Sequence, residues 1–281
     1  MVEPLMNKMI DNEGWSMDES CLLLDCFTSL CHRYSVMDAH PHLAPDVIAF
    51  FIGFVAKGNR HCNCTGLSKK EHMRQALDHI LLAAKYPIPA HLISEILSVI
   101  LLEMTTGMEE MPVWLAEKGA RMAEMEYSYS LMVDYLTQVI SALGREMATP
   151  YLIVITKELL NGDWREQSAA LAGLSVYRKC GGSVDAIDYL MREAMRFISH
   201  DHPRVRYYAC ILLTSLIANF DLQENHLEGA MEALLPNLEE DQPRVAVMAI
   251  NTLRDLVKEC PERIVTKNYD NMMTAHEDQS H

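Results

Sequence analysis

Four side chains in one short stretch could hold a metal: His61, Cys62, Cys64 and His72. A structural zinc site wants two cysteines about two to four residues apart, plus two further ligands at short spacing. Here a single residue separates the cysteines, and His72 falls on the next helical pattern. The segment therefore reads as a polar loop with incidental thiols, and no metal or cofactor is expected. His40 and His42, on either side of Pro41, read as the start of a helix. Arg204, Arg206 and Arg244 could grip a phosphate or carboxylate through paired N–H donors. Each stands just after an aspartate, Asp201 or Asp241, so the favoured reading is a structural ladder of these five residues. Carboxylates at Asp18, Asp25, Asp78, Asp134, Glu166, Asp255 and Glu259 could hold basic groups of a partner. One exposed ion pair contributes about 0.5–1 kcal/mol, so several would have to act together. The sequence has no GxxxxGK[ST] loop, GxGxxG, HExxH or GxSxG, and its one His-Glu dipeptide, His276-Glu277, lies in a polar tail. Catalysis is not expected.

The charge balance narrows the partners. With 24 Lys+Arg against 39 Asp+Glu in 281 residues, the formal net charge is −15. Such a chain repels phosphate backbones and anionic membrane surfaces and attracts basic partners. The longest apolar run, Val47 to Ala56, is far short of the roughly 18 residues that span a bilayer. Glu3, Asp11 and Glu13 interrupt any basic-then-apolar leader, so a secretory signal is not expected. The eight cysteines then read as reduced thiols, with Cys21, Cys26, Cys180, Cys210 and Cys260 inside apolar helical patterns. Most of the 19 methionines read as core filling. Met104, Met108 and Met111 are candidates for an adaptable contact with a partner.

The elements that must position these residues are helices. Val205, Ala209, Leu212, Leu213, Leu216 and Ile217 share one helical face, as do Val245, Met248, Ala249, Leu253, Leu256 and Val257. Asp201-His202-Pro203-Arg204-Val205 returns as Asp241-Gln242-Pro243-Arg244-Val245 after a shift of 40, and Asp163-Trp164-Arg165 opens a similar helix 38 residues upstream. Aspartate before a helix can accept hydrogen bonds from its free amides, and proline is tolerated in the first turn. A period of about 40 with two helices per unit is the HEAT pattern, in which pairs stack because neither helix buries its face alone. The fold expected is all-α, a HEAT-repeat superhelical solenoid of about six pairs. First (A) helices are predicted near 2–11, 41–57, 89–106, 148–161, 184–199 and 224–239. Second (B) helices are predicted near 17–35, 69–85, 127–145, 164–180, 203–219 and 243–259. Residues 1–260 form the solenoid, with the pattern weakest over 1–147 and strongest over 148–260; 261–281 hold an incomplete helix and a polar tail. The segment 105–125 is expected to pack loosely.

Several of these segments resemble a known family. DHPRVRYYAC (201–210), GDWREQSAALAGLSV (162–176), PHL (41–43) and MRQALDHIL (73–81) are similar, in this order, to importin-beta nuclear transport receptors of the karyopherin beta-three (importin five) branch. The resemblance implies a HEAT solenoid that binds protein cargo with basic segments and moves between cytoplasm and nucleus. It also implies contact with nuclear pore proteins. The repeats that would hold the GTPase Ran have no counterpart here, so Ran binding is not expected. By this resemblance the cargo surface lies on the B helices, near their C-terminal ends, and Asp134, Glu166, Asn219, Asp255 and Glu259 are its candidates. Three positions depart from the family. A Glu beside Gly and Cys becomes Arg178-Lys179-Cys180, an Asp before Phe becomes Asn219, and an Asn becomes Asp255. The alternative is an adaptor or regulatory protein that keeps the fold and no longer binds import signals.

Overall fold

The structure is a computed structural model that describes residues 16–33, 36–57, 69–106, 114, 120–177, 186–239, 242–260 and 266. Among these residues there is no strand. The α-helices are α1 (Met17–Arg33), α2 (Val36–Ala39), α3 (Ala44–Lys57), α4 (Lys69–Ala83), α5 (Ala90–Thr106), α6 (Ala120–Leu143), α7 (Arg145–Leu159), α8 (Trp164–Ser175), α9 (Ile187–Ile198), α10 (Pro203–Asn219), α11 (Glu224–Leu234) and α12 (Pro243–Glu259). Short 3-10 turns at Pro41–Leu43 and Leu235–Glu239 lead into α3 and follow α11. The helix expected over 2–11, the loop 58–68, Arg178-Lys179-Cys180, Asp241 and the tail from 267 lie outside the described residues.

The chain divides into two compact units. One comprises Met1–Glu103 with Asp134–Ile155, the other Met104–Val133 with Thr156–His281. In the first unit α3 packs on α4, and α1 packs on α4 from one repeat earlier. Its centre is aromatic: Phe27 and Phe51 are fully buried with ring centroids 5.5 Å apart. The His79 ring stacks on Phe51 at 5.1 Å. Gly144, at φ 92°, turns the chain from α6 into α7, a conformation that a side chain would strain. That turn is why α7 begins at Arg145 rather than near 148.

In the second unit the B helices α8, α10 and α12 form one layer. α8 packs on α10 and α10 on α12, while the A helices α9 and α11 pack on each other and on α10 and α12 respectively. This two-layer stacking buries Leu212, Leu213, Leu216 and Leu256. Hydroxyls join neighbouring B helices at the repeat distance. Ser215 Oγ donates to the Ser175 carbonyl at 2.5 Å, and the Thr214 and Thr252 hydroxyls meet at 2.8 Å.

Helix starts differ in one respect from expectation. Asp163 caps α8 as predicted, its Oδ1 accepting from the amides of Arg165 and Glu166. Before α10 and α12 the capping residues are His202 and Gln242, and neither gives a side-chain cap. The reason is the proline at the first helical position, which has no N–H to offer and moves the cap one residue closer than the aspartate.

Candidate functional site

The C-terminal ends of α10 and α12 bring three predicted residues to one edge of the B layer. Asn219 is the last residue of α10 and is exposed; its Nδ2 donates to the Ser215 carbonyl at 2.7 Å. Asp255 lies one turn before the end of α12. Its Oδ1 accepts from Lys258 Nζ at 2.9 Å and from Arg254 Nε at 3.2 Å. These bonds, Lys258's first and Arg254's second, hold its carboxyl below the ordinary aspartate range. Glu259 ends the same helix and is exposed. The edge formed by Arg254, Asp255, Lys258 and Glu259 therefore carries two charges of each sign and no net charge.

The other two candidates stand elsewhere. Glu166 sits at the opposite end of its helix, in the first turn of α8. Its Oε2 accepts from the Asp163 amide at 2.9 Å while Asp163 accepts from the Glu166 amide, a reciprocal cap that engages the carboxylate locally. Asp134 is exposed on α6, in the first unit. Asp78, also in the first unit, accepts a hydrogen bond from the Tyr135 hydroxyl.

The arginines of the predicted ladder take part in contacts that the sequence did not suggest. Arg206 Nη1 donates to the carbonyls of His200 at 2.6 Å and Asp201 at 2.9 Å, so Asp201 contributes its backbone. Arg204 and Arg244 both lie over the ring of Trp114, at 5.5 and 4.8 Å from its centroid. Arg244 Nη1 also donates to the Trp114 carbonyl at 2.8 Å, and Tyr207 meets the indole edge-on at 5.7 Å. Trp114 is only 4% exposed. The expectation of loose packing over 105–125 therefore fails at this residue, because two cations and an aromatic ring on α10 and α12 enclose it. Met104, proposed for a partner surface, is 2% exposed and belongs to the core; Met108 and Met111 lie outside the described residues.

Of the suggested metal cluster, His72 is the one described member. It is buried on α4 with Nδ1 4.0 Å from Cys21 Sγ. Among the described residues no three His, Cys, Asp or Glu converge as metal ligands would. Burial pushes the Cys31 thiol up to about 11 and the Cys210 thiol to about 12, so both stay protonated at neutral pH and are poor nucleophiles. Among the described residues no helix is long and apolar enough to cross a membrane.

No family model matches the chain. Solved structures do. Over 97% of its length the chain matches the karyopherin Kap121p bound to the extreme C-terminus of the protein phosphatase Cdc14p, with a TM-score of 0.75 and 18% identity. Kap121p bound to Nup53p matches over 96% with a TM-score of 0.73 and 17% identity. Kap121p bound to RanGTP matches over 92% with a TM-score of 0.67 and 17% identity. The match covers 27%, 26% and 26% of those chains, so this chain spans about a quarter of their length. The likeness is one of fold: an all-α arrangement of stacked helix pairs shared with these karyopherin chains.

Proposed function

We propose that this chain is a non-enzymatic, protein-binding HEAT scaffold of the karyopherin kind, working between cytoplasm and nucleus. It takes an extended protein segment across the B-helix layer of its second unit. The observation that carries the reading is the coincidence of the karyopherin fold with the edge where Asn219, Asp255 and Glu259 stand on two neighbouring B helices. Asn219 offers an amide to a partner's backbone, and the two carboxylates offer acceptors to lysine or arginine. Protein cargo with a basic segment and nuclear pore proteins are the partner classes this reading implies.

A second reading is favoured by one feature of the same edge. Arg254 and Lys258 already engage Asp255. A partner's lysine must displace them. On this reading the chain is an adaptor on the same fold and the groove takes no import signal.

Fluorescence anisotropy of a lysine-rich import-signal peptide, at two salt concentrations, separates the two. Groove binding gives a Kd in the micromolar range or tighter that weakens with salt, is lost with a Lys→Ala peptide, and drops about tenfold in Asp255→Lys. No binding by the folded protein removes the import-signal reading and leaves the adaptor.

A further inference from the structure

Arg204 and Arg244 are repeat equivalents. Each is the second residue of its helix, after a proline, in DHPRV and DQPRV forty positions apart. They place two guanidinium groups at the N-terminal ends of adjacent helices, where the helix dipoles are also positive. The indole of Trp114 lies against both, at 5.5 and 4.8 Å, and offers each cation the negative face of a π-system. Its carbonyl accepts from Arg244, its edge meets Tyr207, and it is excluded from water, which strengthens all of these attractions.

We propose that Trp114 is a positioning residue: it clamps the N-terminal ends of α10 and α12 and thereby sets the separation of their C-terminal ends, where Asn219, Asp255 and Glu259 stand. The role of those three residues in binding rests on the function proposed above; the clamp itself does not. Geometry gives the coupling. The Thr214–Thr252 contact at 2.8 Å joins the two helices between their ends and acts as a pivot. At about 1.5 Å per residue, Arg204 lies about 15 Å from Thr214 along α10, and Asn219 about 7 Å beyond it. On α12, Arg244 lies about 12 Å before Thr252 and Glu259 about 10 Å after it. An opening of the clamped ends about this pivot changes the far ends by roughly half to nine-tenths as much. Without the indole both ring contacts and the bond to the Trp114 carbonyl are disturbed together, so the clamp is released by lost packing.

The test is hydrogen exchange read by mass spectrometry on the full chain. Trp114→Ala is expected to raise amide exchange about tenfold in the last turns of α10 and α12, residues 215–219 and 255–259, as well as in their first turns. Trp114→Phe, which keeps a π face, is expected to restore most of the protection. Arg244→Gln, which loses the cation over the ring and the bond to the Trp114 carbonyl, is expected to raise exchange at both ends by a smaller factor. Exchange that rises only around 203–208 and 243–248 overturns the proposal. So does exchange unchanged throughout. If Trp114→Ala does not fold, Arg244→Gln gives the same comparison at smaller amplitude. In parallel, the lysine-rich peptide is expected to bind Trp114→Ala about fivefold more weakly than the wild-type chain and Trp114→Phe within twofold. A wild-type chain that binds no peptide removes the groove reading, and the clamp then stands or falls on exchange alone.

Discussion

The B-helix contacts of the two units are built on one plan with different chemistry. In the first unit α1 and α4 meet through two polar pairs a heptad apart. Cys21 faces His72, and Thr28 meets His79 at 2.8 Å, each pair separated by 51 residues in sequence. In the second unit the corresponding contacts use hydroxyls, Ser215 to the Ser175 carbonyl and Thr214 to Thr252, separated by 40 and 38 residues. Eleven residues (58–68) lie between α3 and α4, against four (199–202) between α9 and α10, and this accounts for most of the longer spacing. The bulk around the pairs differs too. The first unit fills its interface with Phe27, Phe51 and two imidazoles; the second uses leucine and alanine. The same stacking can thus rest on a few large rings or on many small contacts, and the two should respond differently to truncation.

The largest difference is expected at Phe51. It is fully buried, with Phe27 at 5.5 Å, Phe50 at 5.1 Å and His79 stacked at 5.1 Å. Phe51→Ala removes one wall of this cluster and leaves His79 against a void. The expected loss is about 3–5 kcal/mol of unfolding free energy, read from urea denaturation. A loss under about 1.5 kcal/mol would show that the cluster collapses to fill the gap and that the first unit is no more ring-dependent than the second.

A smaller effect is expected in the second unit. Thr252 is fully buried, and its hydroxyl meets both Thr214 Oγ1 and the Met248 carbonyl, at 2.8 and 2.9 Å. Thr252→Val keeps the shape and strips the hydroxyl, leaving Thr214 still bonded to the Cys210 carbonyl. The expected cost is about 1–2 kcal/mol. The double variant Thr214→Val/Thr252→Val should cost little more than the single one, because both partners are then apolar. A double variant that loses the sum of two full penalties would mean that the hydroxyls serve separate contacts rather than each other.

The contrast between units also explains what was legible in the sequence. α10 and α12 start and stop at the residues expected, because a proline fixes each first turn and the 40-residue repeat shows directly. In the first unit the spacing of 51 hides the same relation. At the candidate site the sequence singled out Asn219, Asp255 and Glu259 without the cations beside Asp255. Lys258 stands three positions after Asp255, a spacing at which helical side chains meet, so that pairing could have been foreseen; Arg254, one position away, could not. Likewise Asp163 with Glu166 three residues on is the pattern of a reciprocal cap, which accounts for the glutamate without a partner protein. Trp114 was beyond reach. Its contacts cross 90 residues to Arg204 and 130 to Arg244, and no local pattern marks this tryptophan for two distant cations.

A titratable ring is not confined to the first unit, and the smallest effect concerns the one at the α8–α10 contact. His202 stacks on Trp164 with centroids 4.2 Å apart. Its imidazole is pushed down to about 4, first by burial and then by the positive groups His200, Arg204, Arg206 and Arg165 around it. Because this value lies below the ordinary histidine value of 6.5, the folded protein binds fewer protons than the unfolded chain between about pH 4 and 6.5. Stability from this group is complete above 6.5 and is lost as the pH falls toward 4. Part of the ring reaches solvent, so screening reduces the contribution to about 1 kcal/mol. Gln242 occupies the equivalent cap position before α12, which makes His202→Gln the natural test: the repeat already accepts that residue there. Urea midpoints of the variant are expected to vary less than those of the wild type between pH 4 and 6.5 and to differ little above it. Parallel pH profiles for the two proteins would mean that the acid response comes from other groups and that the second unit owes nothing to the protonation of its stacked histidine.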